Sequence, residues 1–174
     1  MKKSAIRELA VSALITTIYV IMTWALSFSS FGVFQIRVAE ALVLLCFFNK
    51  KYFTPLVLGC VLANLFSPYG LIDVVMGSIA TAIGLFGVMK SKNIYIASIF
   101  PVVSNALIIG FELTYLNGKM TFPIFLFNAA CVGIGEFISV SVIGVMLFMI
   151  LNKNHSFMEL IEASPERYLS KKQK

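Results

Sequence analysis

Residues 122–151 read FPIFLFNAACVGIGEFISVSVIGVMLFMIL, an apolar run interrupted by one ionisable side chain, Glu136. A helix needs about 20 predominantly apolar residues to cross the hydrocarbon core of a bilayer, and this stretch exceeds that length. A carboxylate is expensive in hydrocarbon, so a lone one in such a run faces a protein interior and marks a site or pathway. These two readings, a membrane span and a buried acid on it, organise the rest of the chain.

Working outward, five more apolar segments precede this one, at about 6–28, 38–49, 53–66, 72–89 and 94–115. Polar punctuation separates them: Asn49-Lys50-Lys51, Ser67-Pro68-Tyr69-Gly70, Lys90-Ser91-Lys92-Asn93 and Asn117-Gly118-Lys119. Only 13% of the 174 residues are charged and 59% are hydrophobic, with mean hydropathy +0.92; soluble domains carry about 25% charged residues. The expected fold is an all-α membrane protein, a compact bundle of six transmembrane helices over 1–152 followed by a cytoplasmic tail at 153–174. The second and third segments are short for full spans, which suits tilted, interrupted or re-entrant helices. Lys2, Lys3 and Arg7 before an apolar run resemble a secretory signal. The run is too long for a signal core and lacks a small-residue cleavage site, so it reads as a first helix.

Basic residues set the orientation. With the N-terminus in the cytoplasm, Lys2, Lys3, Arg7, Lys50, Lys51, Lys90, Lys92, Lys153, Arg167, Lys171, Lys172 and Lys174 lie inside and only Arg37 and Lys119 outside, 12 against 2 of the 14. That asymmetry places both termini in the cytoplasm. The net charge of +6 then reflects topology and contact with the anionic headgroups of the lipid bilayer, and no nucleic-acid role is needed. In the tail, Phe157, Leu160 and Ile161 stand at helical spacing before Pro165, as for a segment lying on the membrane, docking on a partner, or fraying.

Four of the eight acidic residues, Glu40, Asp73, Glu112 and Glu136, fall within or at the ends of apolar runs. With the orientation fixed, Glu40, Asn64, Asp73 and Glu112 lie near outer ends of their segments. Asn105 lies deeper, Asn128 about two turns into the last span, and Glu136 about two turns further. The inner half is mostly Ile, Leu, Val, Phe and Met. Asn105 and Glu112, seven apart, share a helix face to within about 20°. Asp73, Gly77, Ala80, Thr81 and Gly84 form a small stripe with Ser78 beside it, and Gly59, Cys60, Ala63, Asn64 and Ser67 form another; such stripes allow close helix packing or approach of a solute to the backbone. Together these residues describe an acidic cavity open to the exterior, suited to a solute with several N–H donors or a positive charge. Arg37 either pairs with Glu40 or closes a lid. Trp24, Phe31, Phe34 and Tyr69 sit near the same end, as an interfacial aromatic belt or as ring-stacking partners.

Cys46, Cys60 and Cys131, with no CxxC spacing, read as small buried hydrophobes. No metal or other cofactor is called for, and His155 stands alone beyond the last span. The chain lacks GxxxxGK[ST], HExxH and GxSxG. It is therefore expected to be no enzyme, and any transport would draw on an ion gradient or on another protein's ATPase.

The blocks Phe34-Gln-Ile-Arg-Val-Ala-Glu-Ala-Leu42, Leu58-Gly-Cys-Val-Leu-Ala-Asn-Leu65 and Asp73-Val-Val-Met-Gly-Ser-Ile-Ala-Thr81 resemble the QueT family. These are queuosine-precursor transporters, substrate-binding S components of energy-coupling factor (ECF) transporters of the bacterial cytoplasmic membrane. The resemblance implies capture of a deazaguanine, 7-aminomethyl-7-deazaguanine or a relative, together with an ECF transmembrane partner and two cytoplasmic ATPase subunits. Among Glu40, Asp73 and Glu136, it implies one carboxylate for the guanine amidine edge and another for the aminomethyl ammonium. Asn64 and Asn105 would read the remaining ring edge, with Arg37, Ser78, Glu112 and Asn128 completing the site. S components carry an AxxxA pattern on the first helix for partner docking. Here Ala10 and Ala13 are three apart, and the four-residue spacings are Ser12/Thr16 and Ala13/Thr17, still small-xxx-small surfaces. Two other readings are an S component for another vitamin-like, amine-bearing solute and a stand-alone proton-coupled carrier.

Overall fold

A computed structural model describes residues 3–31, 34–118 and 120–167, with side chains from residue 6 onward. Lys2, Lys119, Lys171, Lys172 and Lys174, and the side chain of Lys3, lie outside it. The described chain is helical: α1 (Lys3–Ala25), α2 (Ser27–Ser30), a 3-10 segment Val38–Leu44 running into α3 (Leu45–Phe48), α4 (Phe53–Asn64), α5 (Leu71–Lys90), α6 (Ile94–Leu116), α7 (Phe122–Glu136), a π-helical segment Phe137–Gly144 continuing into α8 (Val145–Leu151), and α9 (His155–Leu160). Four stretches are long and apolar enough to cross a membrane: Ile6–Ala25, Leu71–Lys90, Ile94–Leu116 and Phe122–Leu151. The protein is a multi-pass membrane protein.

Helices lie over the six apolar segments, but among the described residues only four are long enough to cross a membrane, and the second and third segments are short. Seven 3-10 residues and four α residues rise only about 20 Å, and the 12 residues of α4 about 18 Å, against a hydrocarbon core of about 30 Å. The 3-10 coil is unusually long for its kind. It is buried at Ala39, Glu40, Ala41, Val43 and Leu44, and small residues permit this: a Cβ on Gly144 would stand 3.2 Å from Ala41 Cα.

Close helix contacts rest on the small stripes. A Cβ on Gly84 of α5 would meet Pro101 Cα of α6 at 2.9 Å, and one on Gly110 of α6 would meet Ala129 Cα of α7 at 2.7 Å. Pro101 sits inside α6, where it supplies no backbone donor. Asparagine side chains cap three elements: Asn49 accepts from Lys51 N, Asn93 from Tyr95 N and Asn154 from Phe157 N, each satisfying an end donor.

The ends of the bundle differ in kind. At the end bearing Lys51, Ser91 and Asn152, Leu44, Phe47, Phe48, Tyr52, Leu85 and Phe148 belong to a continuous apolar core. Phe48 stacks on Phe148 with ring centroids 5.4 Å apart. The described tail neither frays nor lies apart, since it folds back onto this end. Met158 and Ile161 join the core, and Tyr52 Oη and Asn49 Nδ2 donate to the Ile161 and Glu162 carbonyls at 3.0 and 2.8 Å. Ser164 N donates to the Phe48 carbonyl at 3.0 Å, and Lys51 pairs with Glu162 at 2.7 Å. The Arg167 guanidinium lies over the Phe47 ring and donates to the Ser91 carbonyl. The buried charged residues, Arg37, Glu40, Asp73, Glu112 and Glu136, are not part of this core.

Candidate functional site

The 3-10 segment delivers Arg37 at its entry and Glu40 in its first turn. The last turn of α4 brings Asn64, the first turn of α5 Asp73, the C-terminal half of α6 Glu112, and the end of α7 Glu136. All six are at most 2% exposed. Arg37 lies within the electrostatic reach of all four carboxylates, with Nη1 3.9 Å from Glu40 Oε1 and its guanidinium 5.5 Å from the Phe31 ring centroid. The sequence left pairing or a lid role open for Arg37; it is buried beside Glu40.

The hydrogen bonds of this cluster are incomplete. Glu40 Oε1 accepts from Tyr19 Oη and, at 3.5 Å, from Thr81 Oγ1. Asn64 Nδ2 donates to the Asp73 backbone carbonyl at 3.0 Å. Arg37 Nε and Nη2, Glu40 Oε2, Asn64 Oδ1, both carboxylate oxygens of Asp73 and of Glu112, and Glu136 Oε2 are buried without a partner. Most buried polar groups in native proteins are satisfied, so several donors and acceptors concentrated here fit a place that receives a polar solute.

Three further residues assigned to the site have hydrogen-bond partners of their own. Ser78 is half-buried beside the α5 stripe and donates to Val74 O. Asn105 donates to the Pro101 carbonyl at 3.1 Å, and Asn128 to Thr114 Oγ1 at 3.0 Å, tying α7 to α6. Of the aromatic residues near this end, Trp24 and Phe34 are exposed. Phe31 lies under Arg37, and Tyr69 donates to the Phe31 carbonyl at 3.3 Å. Burial, with the Asp73 and Glu112 carboxylates nearby, raises the Tyr69 pKa above its ordinary value, keeping the phenol a neutral donor.

The structure adds neighbours that sequence reasoning did not assign. Gln35, buried with φ 44°, leaves its Nε2 unpartnered; a non-glycine residue in the left-handed region is uncommon and concentrates at functional sites. Its backbone crosses α7 at Gly135, where a Cβ would collide with the Phe34 carbonyl oxygen. Tyr19, Cys60 and Thr81 form a connected floor, Thr81 Oγ1 donating to Cys60 Sγ at 3.3 Å. Gln35 falls within the 34–42 block that carries the family resemblance. An apolar-helix tyrosine such as Tyr19 has no comparable signal.

On the outer surface Ala10, Ala13 and Thr17 are exposed on α1. A groove of about 470 Å³ lies between α1 and α4, lined by Ser12, Ala13, Thr16 and Thr17 on one side and Thr54 and Pro55 on the other. Ala10 is outside that lining.

The model of a family described as QueT transporter matches residues 9–153. A protein of Lactococcus lactis subsp. cremoris (strain MG1363), named queuosine precursor transporter QueT, is 38% identical over 87 residues, 49% of this chain and 51% of that one. The match thus spans about half the length of that relative. No solved structure matches the chain significantly.

Proposed function

The chain belongs to the QueT transporter family, and from that premise we propose that it is the substrate-binding S component of an ECF-type importer, capturing a queuosine precursor. The observation that carries this reading is the buried cluster of Arg37, Glu40, Asn64, Asp73, Glu112 and Glu136 with its unpartnered donors and acceptors. A 7-aminomethyl-7-deazaguanine brings N–H donors on its amidine edge, a carbonyl and a cationic ammonium. Carboxylates accept two N–H bonds in parallel or one strong charge-assisted bond, so Asp73, Glu40 and Glu136 divide the amidine edge and the ammonium. Arg37 Nε and Nη2 and the amide of Gln35 supply donors for the ring carbonyl, and Asn64 Oδ1 accepts from a further ring N–H. The excess of carboxylates over the single guanidinium favours a cation over an anion.

In this reading the six apolar segments are spans, and the basic-residue asymmetry puts both termini in the cytoplasm. The apolar core and folded-back tail then close the cytoplasmic side, and the buried polar cluster lies toward the outer side. The small-residue groove between α1 and α4 suits close approach of a helix from the ECF transmembrane partner, which couples this chain to two ATPases. Ala13 and Thr17 line that contact, while Ala10 is exposed on the same helix.

Mass spectrometry of what the purified protein retains tests the reading. A deazaguanine released in near-stoichiometric amount is expected; consistent recovery of an unrelated solute, with no displacement by added deazaguanine, would overturn it.

A further inference from the structure

Tyr19 is the side chain by which α1, a helix otherwise turned largely outward, enters the polar cluster. It is wholly buried, and its position is fixed on both sides. A Cβ on Gly59 of α4 would stand 3.1 Å from Tyr19 Cβ and Cγ, so the ring lies against bare helix backbone. One turn earlier Thr16 Oγ1 donates to the Pro55 carbonyl at 2.9 Å, locking α1 to α4 at a second level. From this anchored ring the hydroxyl reaches Glu40.

The contacts of Glu40 are one-sided. Oε1 receives the Tyr19 hydroxyl, Thr81 Oγ1 at 3.5 Å and the Arg37 guanidinium at 3.9 Å, while Oε2 is buried with no partner. The Thr81 and Arg37 distances are long for hydrogen bonds, so the tyrosine supplies the main constraint on the carboxylate plane. We propose that Tyr19 is a positioning residue of the substrate site: its hydroxyl holds Glu40 by Oε1 so that Oε2 is presented to the ligand. This rests on the substrate reading above. A carboxylate held in its bound orientation loses less freedom on binding, which raises affinity without a new ligand contact.

The test is a double-mutant cycle in the full-length protein, read as equilibrium binding of 7-aminomethyl-7-deazaguanine by wild type, Y19F, E40Q and the double variant. Phenylalanine keeps the ring and its packing on Gly59 and removes only the donor. Y19F is expected to weaken binding roughly tenfold, the scale of one charge-assisted bond. In E40Q the tyrosine donates to the amide oxygen and turns the NH2 toward the ligand, donor against donor. Y19F in that background is therefore expected to leave affinity unchanged or improved, whereas a merely structural role would make the two losses add. Wild-type affinity in Y19F, or additive losses, would overturn the proposal while leaving the substrate reading intact. No binding by wild type would overturn both. Should Y19F fail to fold, 3-fluorotyrosine placed at position 19 keeps the hydroxyl, and its fluorine resonance is expected to shift when ligand is added. An unmoved resonance at saturating ligand would equally overturn the proposal.

Discussion

Asp73 shows what one residue of this site does. Its carboxylate is buried with both oxygens unpartnered, as is that of Glu112, so it has the capacity to take two N–H bonds from a ligand. Asp73→Asn replaces one acceptor by a donor and should weaken deazaguanine binding by about 1–3 kcal/mol, measured by titration calorimetry. Arg37 plays the opposite part, as the guanidinium among four carboxylates. Arg37→Gln leaves those charges uncompensated, and removal of one partner from a buried ionic group costs about 3–5 kcal/mol. A fall in the thermal unfolding midpoint in detergent should show it, and an unchanged midpoint would contradict the placement. Gly135 is a packing constraint: Gly135→Ala drives a methyl group into the Phe34 carbonyl. It should displace 34–37, costing about 1–3 kcal/mol of stability and weakening binding with it. The four acids were legible in the sequence because charge in hydrocarbon is conspicuous. Tyr19 was not, because it is an unremarkable member of an apolar helix until the fold turns it toward Glu40, and Thr81 and Cys60 were visible only as members of small-residue stripes. Asn105 and Asn128 have the right polarity and depth, yet they bond to Pro101 and Thr114; face and depth do not determine which acceptor an amide finds.

Among the elements, the long helices were readable from apolar length alone, and the short ones show where that rule stops. Val38–Phe48 and Phe53–Asn64 lie where apolar runs were seen, but no periodicity announces a 3-10 coil. It packs beside the π-helical segment, through Gly144 and Ala41. The tail was ambiguous in sequence because Phe157, Leu160 and Ile161 would serve a membrane surface as well as a core. In the fold Met158 and Ile161 are buried, while Leu160 remains exposed. Truncation after Lys153 removes those two core side chains, each contributing about 1.5–3 kcal/mol. The expected result is a lowered unfolding midpoint with deazaguanine affinity within about twofold of the full chain, since Met158 and Ile161 pack at the end opposite the polar cluster. An unaltered midpoint would show that the tail does not close the core.

Over the whole molecule, an apolar, sealed end bearing basic residues and a polar end bearing buried acids give the bundle a direction. The proposed orientation puts the acids toward the outside, where a scarce solute is met. It puts the basic end toward the cytoplasm, where the S-component reading places its ATPase partners. A carrier acting alone would move its solute under an ion gradient in liposomes containing only this chain; the S-component reading expects no such uptake until the transmembrane and ATPase subunits are added with ATP. The most direct test of the central claim is a calorimetric titration of 7-aminomethyl-7-deazaguanine into the purified protein, run beside Asp73→Asn. Saturable binding at one site per chain, weakened in the variant, is expected. Absence of saturable binding by wild type, or equal affinity in both proteins, would contradict the assignment of the buried acidic cluster as the capture site.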